Sequence, residues 1–175
     1  VITVNMSDMG CSAAVAALDL GDRLLRAENK PKRALMLALE PVSNLFQADE
    51  NKGAVVGNTL FGEGCAAVVM STYREPALYE VEHTQRVIHA DQESREAIKL
   101  AWNDHGPMIQ LSKDIPVVAG RAIESNLNRL VPKFLPIREK LKYLVTKKTP
   151  RWQKSIDHWA IHPGGTAVLK GFQKQ

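Results

Sequence analysis

Two residues, Cys11 and His162, have the types and local settings that acyl-transfer chemistry uses. Cys11 stands in "DMGCSAAV", where Gly10 opens into an alanine-rich run. A cysteine between a glycine turn and a helix lies close to N–H groups that have no partner within the helix. That setting, with the positive end of the helix dipole, favours thiolates in general. It can also hold the oxyanion formed when a thioester carbonyl is attacked. A small inert thiol filling the gap between strand and helix is the alternative, since free cysteines are often buried and unreactive. Spacing alone leaves both readings of Cys11 open.

His162 ends the apolar stretch "IDHWAIH" and opens "HPGGTAV". Pro163 restricts the backbone after it, and Gly164 and Gly165 permit a sharp turn with a ligand close to the main chain. In α/β sheets, a strand end followed by a turn into a helix is a usual place for active-site groups. The sequence separation of Cys11 and His162 is no objection, because nucleophile and base commonly meet only in the fold. A structural histidine satisfied by hydrogen bonds is the competing reading.

The elements that must position these residues follow from hydrophobic periodicity. "VITVN" (1–5) reads as a short strand. Over 12–27, Ala13, Ala14, Ala16, Ala17, Leu20, Leu24 and Leu25 give a helix with a broad buried face and small first turns, ended by Asn29 and Pro31. "RALMLALE" (33–40) is continuously apolar, the pattern of a strand covered on both faces in a parallel or mixed sheet. A polar loop punctuated by glycine leads to "GEGCAAVVMS" (62–71), a further strand, and "ALYEVEHTQRVIH" (77–89) alternates roughly as another. A polar connection reaches "GPMIQLSKDIP" (106–116), and 117–135 is helical until Pro132 and Pro136 interrupt it. A basic amphipathic segment, a strand at 156–162 and a helix opened by "PGGTAVLKGF" complete the chain. This order argues for α/β layers with helices on both faces, with a break in organisation near 71–76.

An apolar fraction of 45% and a charged fraction of 24% exclude a disordered or collagenous chain. The longest uncharged apolar run falls well short of the ~18 residues that span a bilayer, and no secretory signal is visible. The first residues read as the inside of a strand and the last as the start of another periodic segment. The expectation is therefore part of a longer polypeptide, whose anchor or targeting segment would lie elsewhere. Two cysteines without a C-x-x-C pair make neither a disulfide framework nor a zinc site, which favours a reducing compartment. The net charge of +4 is concentrated at 133–154, including "TKKTPRWQK". That stretch reads as a solvated helix and loop, or as a patch for a nucleotide phosphate or lipid head group. No nucleic-acid motif stands behind it. Cys65 lies in an apolar strand and reads as core, while His83 and His89 read as structural residues of a strand. His105 and His158 lack metal-ligand spacing, so no metal site is expected. Lys113 and Asp114 read as a cap or ion pair ahead of a helix, without a catalytic role.

Taken together, these segments resemble a family. "NMSDMGCSAAVAALDL" resembles the nucleophile segment of the thiolase-fold condensing enzymes. More narrowly, it resembles plant-type 3-ketoacyl-CoA synthases (fatty acid elongases) and chalcone-synthase-like type III polyketide synthases. "GNTLFGEGCAAVVMS" is similar to the family's turn and strand, and "LSKDIPVVAGRAIESNLNRLVPKFLPIREKL" is most similar to the elongase branch. "HWAIHPGGTAVL" resembles the histidine loop, in a Pro163 form nearer the polyketide synthases.

The resemblance implies a thiolase-like layered α-β-α-β-α fold with mixed β-sheets, incomplete at both ends. Residues 1–73 would form the C-terminal part of the first half and 74–175 most of the second. It implies a decarboxylative Claisen condensation, in which Cys11 carries the acyl group of an acyl-CoA and the enolate from malonyl-CoA attacks it. His162 would activate the thiol and stabilise enolate charge. Phe61 matches a residue gating the cavity mouth, and Ile109 falls where polyketide synthases carry a second gating phenylalanine, a departure that fits a channel for a long aliphatic chain. Gly164, Gly165 and Ala167 match the loop that approaches coenzyme A. No cofactor beyond malonyl-CoA and acyl-CoA is implied. The family's asparagine segment would lie downstream of Gln175, and Gly57-Asn58 precedes the "LFGEG" turn and is not its counterpart, so a fragment inactive on its own is expected. A homodimer is implied, with apolar surface near residues 1–50 as its face. An elongase would sit at the endoplasmic reticulum membrane, a polyketide synthase in the cytoplasm. A type III polyketide synthase is the alternative enzyme, and a non-catalytic fragment binding acyl-CoA or a partner is the alternative of another class.

Overall fold

Small residues bring the first helix close to its sheet. The computed structural model describes residues 1–7, 9–27, 32–48, 52–73, 76–104, 106–135, 137–146 and 156–173. These fall into two compact units. One comprises Val1–Asn44 and Phe61–Arg86. A 3-10 turn at Gly10–Ser12 leads into helix α1 (Ala13–Arg26), as its periodicity predicts. Ala16 and Leu25 are its buried residues, while Asp19–Arg23 and Asp22–Arg26 pair one turn apart at 3.0 and 2.7 Å. Helix α1 lies on an antiparallel pair, β1 (Arg33–Glu40) and β2 (Gly64–Ser71), whose register runs from Arg33↔Ser71 to Glu40↔Gly64. Gly21 makes this approach possible, because a Cβ there would stand 2.9 Å from Met70 Sδ.

The continuous apolar run of β1 predicts cover on both faces, and the structure corrects this. Ala34, Met36 and Ala38 are half-buried on the face they share with buried Met70. Leu35, Leu37 and Leu39 alternate with them and are 62%, 70% and 74% exposed, so cover is one-sided among the described residues. Cys65 is a second correction: read as core, it is exposed, opposite Leu39 in the register.

Residues 1–5 and 77–89, read as strands, are irregular, because among the described residues the strand pairs are β1 with β2 and, in the second unit, β3 (Ile98–Asn103) with β4 (Gly106–Leu111). A strand without a ladder partner leaves its backbone N–H and C=O groups without sheet hydrogen bonds. Side chains hold the later segment instead. Arg26 Nη2 donates to the Val81 carbonyl at 2.9 Å, and the Thr84 hydroxyl donates to the Asp19 carboxylate. The Thr84 bond, and after it Arg23, holds Asp19 below the usual carboxylate range.

The second unit comprises Leu45–Leu60 and Val87–Gln175. Its first helix, α2 (Lys52–Leu60), forms where the sequence reads as a polar loop. It packs on β4 with Ala54 and Gly57 buried. The short α3 (Gln92–Ala97) is capped by Asp91, whose carboxylate accepts the Ser94 N–H at 2.9 Å and the Ser94 hydroxyl at 2.7 Å. Strands β3 (Ile98–Asn103) and β4 (Gly106–Leu111) pair antiparallel from Ile98↔Leu111 to Asn103↔Gly106.

Helix α4 (Ile115–Phe134) then starts at Asp114, whose carbonyl accepts the N–H groups of Val117 and Val118, both at 3.0 Å. Ahead of it the Ser112 hydroxyl accepts the Asp114 N–H at 3.1 Å and lies 3.2 Å from the Asp114 carboxylate, a local turn at the helix start. The helix runs through position 132 to Phe134 rather than stopping there. A proline this near the end forfeits one backbone hydrogen bond without breaking a long helix. Helix α5 (Ile137–Thr146) follows, and α6 (Thr166–Gln173) packs along α4. Leu135, 4% exposed, centres a small core with Leu127 and Ile156. His89 sits in an irregular segment, where Asn126 Nδ2 lies 2.7 Å from its Nε2 and also donates to the Ala122 carbonyl at 2.7 Å. His105 and residues 147–154 of the basic stretch lie outside the described residues. His158 is exposed in an irregular segment, since 156–162 forms no strand.

Candidate active site

The nucleophile turn is built by Gly10. Its φ of +53° lies in the left-handed region, where a side chain would be strained, and it turns the chain into the 3-10 turn that carries Cys11. The Ser12 hydroxyl closes that turn by donating to the Met9 carbonyl at 2.8 Å. Cys11 is therefore exposed, two residues ahead of the first residue of α1, the setting its sequence predicts. It lines a cavity of about 490 Å³ together with Asn5, Met6, Ala14, Ala17 and residues of β1. A volume of that size lies in the range of small-ligand sites. The alanines of α1, needed for close packing, also leave this space beside the thiol.

The histidine turn is built by two glycines with different roles. His162 is exposed, and its carbonyl accepts the Gly164 N–H at 2.9 Å. A Cβ on Gly164 would lie 3.4 Å from His162 Nδ1 and 3.8 Å from Cε1, so the imidazole lies over that glycine. Gly165 has φ +105°, and its carbonyl accepts the N–H groups of Val168 and Leu169 at 3.1 and 3.2 Å, starting α6. The helix after "HPGG" thus forms as expected, although the strand before it does not. Ala167 is exposed in the first turn of α6. Ile109 is half-buried in the middle of β4, opposite Leu100.

Cys11 and Phe61 belong to the first unit, and His162, Ile109, Gly164, Gly165 and Ala167 to the second. Phe61 is half-buried in the link after α2. Each unit presents one reactive side chain just before a helix: the thiol before α1 and the imidazole before α6. A thiol can in general act as a nucleophile and an imidazole as a proton acceptor. Among the described residues no three His, Cys, Asp or Glu side chains gather to hold a metal ion.

A polar cluster that the sequence does not reveal lies in the second unit. Gln47, 4% exposed, exchanges hydrogen bonds with Asn58: its N–H donates to Asn58 Oδ1 at 3.1 Å, and Asn58 Nδ2 donates to its carbonyl at 2.7 Å. The Asn58 side chain is thus engaged within the fold. A glutamine in a polar loop carries no periodic signal of burial, and the glycines of "KGAVVGNTL" hide the helix that completes the cluster.

Residues 1–150 match the family described as FAE1/Type III polyketide synthase-like protein. The chain is 34% identical to a probable 3-ketoacyl-CoA synthase 20 of Oryza sativa subsp. japonica, over 99% of its own length and 36% of that protein's. It is 31% identical to 3-ketoacyl-CoA synthase 7 of Arabidopsis thaliana, over 97% of its length and 40% of that protein's. It therefore spans well under half of these relatives. Among solved structures, the C-terminal type III polyketide synthase domain of Steely1 from Dictyostelium superposes with a TM-score of 0.76 at 23% identity, covering 98% of this chain and 44% of that one. A type III pentaketide synthase from Neurospora crassa superposes with a TM-score of 0.67 at 28% identity, covering 94% and 44%. The two described sheets and their helices are thus part of the thiolase-like α/β fold, and the chain belongs to the FAE1/type III polyketide synthase-like family.

Proposed function

We propose that the polypeptide to which these residues belong is an acyltransferase that condenses malonyl-CoA with an acyl-CoA to give a 3-ketoacyl-CoA, as in very-long-chain fatty acid elongation. The observation that carries this reading is Cys11, exposed in the turn before α1 at a cavity of about 490 Å³. Its thiolate attacks the acyl-CoA carbonyl, and coenzyme A leaves as the thiol. Malonyl-CoA then loses carbon dioxide, and the resulting enolate carbon attacks the cysteine thioester, releasing the Cys11 thiolate and a product two carbons longer. His162 accepts the thiol proton and hydrogen-bonds the thioester oxygen of malonyl-CoA, where enolate charge develops. Phe61 and Ile109 line the acyl path, while Gly164, Gly165 and Ala167 give the backbone close approach to coenzyme A. No cofactor enters this scheme.

Residues 1–73 close the first thiolase-like half and 74–175 build most of the second. Two copies associate, and the enzyme works at the endoplasmic reticulum membrane. No described helix is long and apolar enough to cross a bilayer. A type III polyketide synthase is the second reading, favoured by Pro163 in the histidine loop.

The test uses the full-length protein with a long-chain acyl-CoA, followed by mass spectrometry of the peptide containing Cys11. The expected result is an acyl adduct in the wild type and none in Cys11→Ala. An unmodified wild-type peptide refutes the enzyme and leaves a binding fragment. Labelled malonyl-CoA then separates the enzymes: one condensation gives the 3-ketoacyl-CoA, whereas repeated condensation with cyclisation identifies the polyketide synthase.

A further inference from the structure

We infer that α5 is a membrane-surface helix, which lays an aliphatic stripe on a bilayer whose head groups are anionic. The inference names a lipid contact of the second unit and does not depend on the condensing chemistry proposed above. At about 100° per residue, Ile137, Leu141, Leu144 and Val145 fall within about 100° of arc on one side of the helix. They are 57% to 84% exposed, so the stripe faces solvent, while Tyr143 on the opposite side is half-buried. Among the described residues no helix or strand packs along α5.

Charge surrounds this stripe. By the same helical geometry Lys140 borders it on one side and Arg138 on the other, with Lys142 beyond Arg138. Residues 133–154 hold eight Lys or Arg and one Glu, a net charge of +7, whereas the whole chain carries +4 and its remainder therefore −3. Lys147, Lys148, Arg151 and Lys154 follow the helix directly in the sequence. A helix of ten residues rises about 15 Å, half the hydrocarbon core, so it can lie in the interface but not cross it.

Long basic side chains beside such a stripe keep their heads at the phosphate level while the aliphatic groups enter the acyl boundary. Each adds attraction to an anionic leaflet. The combination also decides among occupants. A nucleic acid would use the charges but leave the stripe in water, with no aromatic ring in it to stack on bases. A second copy would bring Arg138 and Lys140 against their like-charged counterparts. An anionic bilayer suits both halves of the surface.

The experiment follows amide exchange of residues 137–146 in the full-length protein, alone and with two kinds of vesicle. One is phosphatidylcholine alone, and the other also contains phosphatidylserine. With phosphatidylserine, exchange is expected to slow about fivefold or more, the ratio that one basic side chain at an anionic surface supplies. Phosphatidylcholine alone should change it little. Two double variants, Lys140→Gln with Lys142→Gln and Leu141→Ser with Leu144→Ser, should each abolish the slowing. Circular dichroism checks that they fold; should one fail, the other decides together with the two vesicles. Loss in the lysine variant alone overturns the inference and leaves a patch for phosphate groups. Equal exchange with the two vesicles also overturns it. So does full protection without lipid, which means that another part of the polypeptide covers the stripe. None of these readouts involves acyl transfer, so failure of the condensing function leaves the inference standing.

Discussion

Gly165→Ala isolates what the histidine loop requires of its backbone. At φ +105° a side chain costs about 1–3 kcal/mol in backbone strain. Packing adds nothing, because the new Cβ would meet only Leu60 Cδ1, at 4.0 Å. The strain falls on the carbonyl that receives the Val168 and Leu169 N–H groups, so the first turn of α6 is where it is released. Amide exchange of Val168 and Leu169 through local opening should therefore accelerate about 5- to 150-fold, the same free energy expressed as a ratio. Gly164→Ala is the control. Gly164 has no positive φ, and its Cβ would meet His162 Nδ1 at 3.4 Å, a contact the exposed ring relieves by turning. That variant should leave exchange in α6 near the wild-type rate while lowering kcat through the displaced imidazole. Hydrogen–deuterium exchange read at single-residue resolution decides the matter. Equal exchange at Val168 and Leu169 in the two variants would refute the division of labour between the glycines.

Two further outcomes concern stability. Leu135→Ala should cost about 2–5 kcal/mol by urea unfolding, because Leu135 is 4% exposed and Leu127 and Ile156 pack against it; a loss under about 1 kcal/mol would mean that this cluster is not a core. Asp19, held by Thr84 and Arg23, and Asp91, held by Ser94, both titrate below the ordinary aspartate value of 3.8. Their contributions are present above that value and are lost as pH falls through the lower folded ones. Acid should therefore weaken the wild type below about pH 4 more than it weakens the Asp19→Asn, Asp91→Asn double variant, and parallel pH profiles of unfolding would contradict the geometry.

What was legible in the sequence follows how far apart the deciding residues lie. Helix α1 was readable because its signals are local: small residues, a 3.6-residue period and a glycine turn ahead of it. The histidine loop was readable for the same reason, since Pro163, Gly164 and Gly165 act on their own backbone. Strands were harder. "ALYEVEHTQRVIH" alternates as a strand does, yet alternation states only which faces suit burial, not whether a ladder partner exists. The irregular segment is secured instead by Arg26 and Thr84, contacts made with a helix more than fifty residues away. The apolar run of β1 was over-read for a related reason: Leu35, Leu37 and Leu39 suit a covered face, but cover belongs to whatever packs there.

The same distinction separates the parts of the candidate site. The reactive side chains are placed by residues beside them in the chain, Gly10 and Ser12 for Cys11, and Gly164 and Gly165 for His162. The local setting of both side chains is therefore written in short motifs that a sequence displays. The buried Gln47 is placed differently, by Asn58, Asn103 and Pro107, up to sixty residues distant. No motif announces it, because a glutamine that becomes a core residue looks like any loop glutamine until its partners arrive.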